Sequence, residues 1–158
     1  MTLAVEKAGG EFSAGWALQI KGESQMRVLR ILIVDDEEPI CELLKDTFRK
    51  QGHLVLAETS GEKALETARS EPFDVVFLDI KMPGLNGVET LKQMRRILPK
   101  AEFIMITGFA ASELVDESLS SGAFVCLSKP FSLNQLTDMI EDLSLQEALP
   151  KQSAGTIR

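Results

Sequence analysis

Tyrosine is absent from the 158 residues, and cysteine occurs only twice, as Cys41 and Cys126. Neither cysteine belongs to a CxxC pair, and two solitary thiols build no disulfide framework. They read as small buried thiols in a reducing compartment. Nowhere is there the run of about 18 apolar residues that a membrane span requires. The chain does not open with a basic cluster followed by an apolar stretch, so it shows no signal-peptide pattern and is expected in the cytoplasm. Basic residues are scarce in one region. From residue 101 to residue 150 Lys129 is the only one, against eight acids, and this stretch accounts for the whole net charge of −7. That acidity argues against direct nucleic-acid binding and leaves one lysine isolated among carboxylates.

What is present is a chain long enough for one compact domain. Residues 1–27 lack a hydrophobic period and contain Gly9, Gly10, Gly15 and Gly22, which predicts a flexible N-terminal extension. Met26 stands directly before the first strand and is a candidate translation start; a native peptide containing Trp16 would exclude it. From Leu29 the pattern becomes regular. Leu29–Val34 is a β-branched apolar run, the mark of a strand buried on both faces. Further strands are predicted at residues 53–57, 74–78, 102–106 and 123–127. Helices are predicted at 37–50, 61–69, 88–98 and 112–120, with a last one from a Ser132 cap to about residue 145. Pro39 suits a first helical turn, and Gly52 and Gly122 suit helix ends. The domain is taken as residues 28–149, with a tail at 150–158.

Strand and helix alternate five times, which implies an α/β fold: a doubly wound, five-stranded parallel sheet with helices on both faces. The expected order is 2-1-3-4-5, a known flavodoxin-like arrangement and not a product of the spacing. In such sheets ligands bind beyond the carboxyl ends of the strands, at the point where the winding reverses. The residues at those ends are Asp35-Asp36, Asp79, Thr107 and Ser128-Lys129. Each alone has an ordinary role: acids favour a helix N-terminus, Asp79 precedes a Pro-Gly turn, Thr107 can satisfy local backbone, and Lys129 can be solvated. Together they place three carboxylates, a hydroxyl and an ammonium in one shallow pocket. Carboxylates that close stay ionised only around a cation, and an all-oxygen ligand set suits Mg²⁺. Phosphoryl transfer to a carboxylate needs an anionic nucleophile, a metal and a fixed cation. Asp79 is the best-placed nucleophile, Asp35 and Asp36 would hold the metal, Lys129 supplies the fixed charge, and Thr107 can donate to a phosphoryl oxygen.

From Val28 to Leu149 the chain resembles the receiver domain of two-component response regulators. The segments that carry the likeness are ILIVDDEEP at 31–39, VVFLDIKMPGLNG at 75–87, IMITG at 104–108 and LSKPF at 127–131. The resemblance implies that Asp79 accepts a phosphoryl group from a histidine kinase or phosphotransfer protein. It also implies Mg²⁺ on Asp35, Asp36, Asp79 and the backbone carbonyl of Lys81, Lys129 at the phosphoryl group, and a cis Lys129–Pro130 bond. Lys81 and Phe109 stand where the family tunes dephosphorylation. One departure is Cys126, which occupies the position of an aromatic residue that turns inward when the Thr107 counterpart moves. Phe124 is a candidate substitute. By resemblance the chain is a single-domain regulator and not an enzyme beyond its own phosphorylation and dephosphorylation. Its acidic C-terminal third would dock a protein with a basic surface. Two alternatives remain: an adaptor that is never phosphorylated, and an Asp-nucleophile phosphohydrolase. The phosphohydrolase motif needs a second Asp where Lys81 stands.

Overall fold

Short apolar runs become strands here because both faces of a parallel sheet are covered by helices. β1 (Arg30–Val34), β3 (Val75–Asp79) and β4 (Glu102–Thr107) are buried along nearly their whole length. β2 (Leu54–Glu58) and β5 (Val125–Ser128) are edge strands, and their residues are mostly half-buried. All pairings are parallel, in the order β2-β1-β3-β4-β5. The computed structural model describes residues 26–108 and 112–145. The predicted N-terminal extension with Trp16, Phe109 and the tail at 150–158 lie outside the described residues, apart from Met26 and Arg27.

The helices are α1 (Glu38–Lys50), α2 (Gly61–Ser70), α3 (Gly87–Ile97), α4 (Ser112–Ser120) and α5 (Leu133–Ser144). Their caps follow local chemistry. The Ser60 hydroxyl accepts from the Lys63 N–H, the Asn86 side chain from Glu89, and Ser132 from Gln135. Pro39 sits in the first turn of α1, where its missing N–H is harmless. Gly52 takes φ +97° just beyond the last turn of that helix, a left-handed conformation that disfavours any side chain. α4 has the bounds expected for it, Ser112 to Ser120.

The sheet's alternating side chains define two cores. Leu32, Val34, Val76, Leu78, Phe103 and Met105 pack with Ala64 and Leu65 of α2 and with Val88, Leu91 and Met94 of α3. On the opposite face Phe77 stacks on Phe48 of α1, with ring centroids 5.0 Å apart and planes at 16°. Cys41 and Leu44 are buried on the same helix. The Gln51 side chain after α1 donates to the Thr137 carbonyl of α5 at 3.4 Å. The unit described by these contacts is Val28–Met139. In the described part of a second unit the Arg27 N–H donates to the Ser144 carbonyl at 3.2 Å.

Cys126 corrects one expectation. Cys41 is buried, but Cys126 is only half-buried, because β5 has a neighbour on one side only. Phe124 does not fill the interior in its place, since 52% of it is exposed just before β5.

Candidate functional site

The register of the sheet sets the site. Val34 lies beside Leu78, so Asp35 and Asp79, the next residues of β1 and β3, emerge together at the carboxyl ends. Both are buried. Asp36 is exposed beside them, and one carboxylate oxygen from each of Asp35, Asp36 and Asp79 lies within 4.8 Å of the others. Thr107 pairs with Ser128 at the ends of β4 and β5, and its carbonyl accepts from the Lys129 N–H at 2.8 Å. That bond ties the lysine to the end of β4, and the Lys129–Pro130 peptide that follows is cis. Its ammonium reaches Glu37 Oε1 at 2.9 Å, Asp35 Oδ2 at 3.1 Å and Asp79 Oδ2 at 3.4 Å.

The loop after β3 completes the surround. The Lys81 N–H donates to Asp79 Oδ1 at 3.4 Å. Gly87 turns the chain back onto this loop, and its N–H donates to the Ile80 carbonyl at 2.8 Å. A Cβ on Gly87 would lie 2.6 Å from Ile80 Cα and still closer to the Asp79 carbonyl, so only glycine fits. On the other side the Asp35 carboxylate accepts from the Glu37 N–H at 2.9 Å, and the Cys41 thiol donates to the Asp35 carbonyl at 3.2 Å. The result is an open depression of about 450 Å³ lined by Asp36, Glu37, Asp79, Lys81, Gly108 and Lys129.

The electrostatics follow from burial and crowding. Burial raises the Asp79 carboxyl, and the Asp35 charge raises it further. Lys129 and the Lys81 N–H pull back, and the outcome is about 6 against an ordinary 3.8. Burial works against the Lys129 ammonium, yet its bonds to Glu37 and Asp35 hold its pKa above the usual lysine value. Burial, reinforced by the Asp35 charge, pushes the Cys41 thiol up to about 11. The donor set fits a hard divalent cation: three carboxylates with no nitrogen or sulfur among them, one of them a crowded acid whose ionisation an added positive charge would favour.

The six candidate site residues read from the sequence, Asp35, Asp36, Asp79, Lys81, Thr107 and Lys129, sit at this end of the sheet. Asp35, Asp36, Asp79 and Lys129 meet directly, Lys81 lines the depression, and Thr107 ends the strand whose next residue, Gly108, lines it too. Glu37 was missed as a member of the site. It precedes α1 as the N-cap residue but makes no side-chain cap bond, and its carboxylate goes to Lys129 instead. The run of four acids from Asp35 to Glu38 was the available signal, and it reads equally well as a helix-dipole preference.

A model of the response regulator receiver domain family matches residues 31–141. The chain belongs to that family. It is similar to sporulation initiation phosphotransferase F of Bacillus subtilis, at 35% identity over 112 residues, covering 71% of this chain and 90% of that protein. It is 38% identical over 124 residues to the regulatory protein AtoC of Escherichia coli, of which it spans only 26%. Among solved structures, a CheY-like receiver domain protein of Methanospirillum hungatei JF-1 superposes with a TM-score of 0.74 at 32% identity, over 78% of this chain and 99% of that one. The chain is thus a receiver domain of the two-component type, a signalling module whose action depends on phosphorylation. Among the described residues no helix is long and apolar enough to cross a membrane.

Proposed function

We propose that Asp79 accepts a phosphoryl group from a phosphohistidine on a histidine kinase or phosphotransfer protein, in a Mg²⁺-dependent reaction. The observation that carries this reading is the meeting of Asp35, Asp36 and Asp79 within 4.8 Å, with the Lys129 ammonium 3.4 Å from Asp79. One Asp79 oxygen attacks phosphorus, the P–N bond breaks, and its electron pair stays on the imidazole nitrogen. An acyl phosphate and a free histidine result. At neutral pH a carboxyl with a pKa of about 6 is mostly ionised and able to attack. Asp35, Asp36, Asp79 and the Lys81 carbonyl would hold Mg²⁺, which when bound neutralises charge on the phosphoryl oxygens. Lys129 offers the fixed positive charge, and Thr107, at the end of the adjacent strand, is placed to donate to a phosphoryl oxygen.

Phosphate-affinity electrophoresis after incubation with acetyl phosphate and Mg²⁺ tests this. Stoichiometric label on the wild type that is absent from Asp79→Asn is the expected result. No label would favour an unphosphorylated adaptor, and catalytic turnover of acetyl phosphate would favour a phosphohydrolase.

The output we propose is docking to a protein with a basic surface. Glu113, Asp116 and Glu117 on α4 and Asp138 on α5 support this; among the described residues Glu117 is paired, with Lys92 on α3 at 2.6 Å, and Glu113, Asp116 and Asp138 are exposed. Such binding weakens as salt screens the charges. An affinity unchanged between about 50 and 300 mM salt, over which the Debye length falls roughly 2.4-fold, would refute it.

A further inference from the structure

We propose that Glu37 is a positioning residue that competes with the phosphoryl group for Lys129 and so limits phosphoryl uptake. This inference rests on Asp79 as the phosphoacceptor. A lysine ammonium has three N–H donors. Here the ammonium donates to Glu37 at 2.9 Å and to Asp79 at 3.4 Å and is ion-paired with Asp35 at 3.1 Å. A phosphoryl group on Asp79 adds oxygens that need donors, so the ammonium must turn from its carboxylates to serve them.

The three acceptors differ in what their release costs. Once phosphorylated, Asp79 is an acyl ester and no longer a free carboxylate, so its donor can pass to the phosphoryl oxygens. Asp35 and Glu37 stay charged. The Asp35 side chain is 4% exposed, and a buried carboxylate gives up a partner at high cost. The Glu37 side chain is 59% exposed, and water can replace the lysine there at little cost. Of these two, Glu37 is therefore the contact that opens. Its bond to Lys129 belongs to the unphosphorylated state alone, and its negative charge also repels an incoming dianion. Both effects act in one direction, so removing the charge favours the phosphorylated state. Glu37 makes no side-chain capping bond to α1, so the change removes no cap from the helix start.

The test uses the full chain at saturating Mg²⁺, with beryllofluoride as the phosphoryl mimic and amide resonances as the readout. Exposed ion pairs are weak, so Glu37→Gln should bind beryllofluoride about two- to fivefold more tightly than the wild type. Glu37→Ala serves as a second variant and should act in the same direction. The ¹⁵N resonance of the Lys129 ammonium supplies a readout that a merely structural role would not move. Glu37→Gln should shift it in the free protein, and the difference between wild type and variant should disappear once beryllofluoride is bound. Equal or weaker binding by both variants overturns the role of Glu37, as does an ammonium difference that persists in the bound state. Failure of the wild type itself to bind beryllofluoride or take label from acetyl phosphate would instead overturn the Asp79 reading, and this inference with it.

Discussion

Replacing Asp79 with Asn is expected to stabilise the metal-free protein at neutral pH. The Asp79 carboxyl titrates at about 6 when folded, because it is buried beside Asp35, against 3.8 ordinarily. The folded state therefore binds this proton more tightly than the unfolded state. Above pH 6 the group is ionised in both states and its burial costs the fold in full; as the pH falls from 6 towards 4 the folded protein is protonated first and the cost fades. At about 1.4 kcal/mol per pKa unit, the cost is roughly 3 kcal/mol at pH 7.5 and roughly 1 kcal/mol at pH 4.5. Asparagine removes it at every pH. The pull of Lys129 at 3.4 Å is already part of the balance that sets this pKa, so no further deduction is made for it. The gain is about 3 kcal/mol at pH 7.5 and about 1 kcal/mol at pH 4.5. Urea unfolding in EDTA at the two pH values measures it, with the slope m expected to be unchanged. Equal or lower stability of the variant at pH 7.5, or a difference that does not narrow on acidification, would refute the electrostatic reasoning. Added Mg²⁺ should stabilise the wild type more than the variant, which lacks one ligand charge.

His53 should oppose Asp79 on acidification. Its Nδ1 accepts from the Leu29 N–H at 3.0 Å, and burial lowers its pKa below 6.5, so its contribution is complete above pH 6.5 and declines below it. Unfolding of His53→Gln in EDTA should accordingly lose less stability between pH 7 and pH 5 than the wild type; an equal loss would exclude His53 as the cause. Gly87→Ala should cost at least about 2 kcal/mol, since the new methyl meets the Asp79 carbonyl and Ile80 Cα, and thermal unfolding measures that directly. Thiol labelling of the native protein should modify half-buried Cys126 before Cys41, whose pKa of about 11 and burial keep it as an unreactive thiol. Equal rates for the two cysteines would show that the environment of Cys41 opens readily.

The alternation of five short apolar runs with five amphipathic segments was legible in the chain, and so were several element ends, because Pro39, Gly52, Gly122 and Ser132 act through local backbone chemistry. The site could be named from strand ends because a parallel sheet brings all its carboxyl termini to one edge; Asp35, Asp79 and Lys129 needed no further geometry to be grouped. Other features depended on which strand lies beside which. Cys126 reads as a buried thiol until β5 is seen to be an edge. Glu37 reads as a helix-start acid until the β4–β5 register is seen to set Lys129 within reach of it. Periodicity records how each segment meets the core, and it is blind to contacts between side chains 92 positions apart. The partner of Lys129, the raised pKa of Asp79 and the exposure of Phe124 all arise from such non-local packing, and only the assembled sheet decided them.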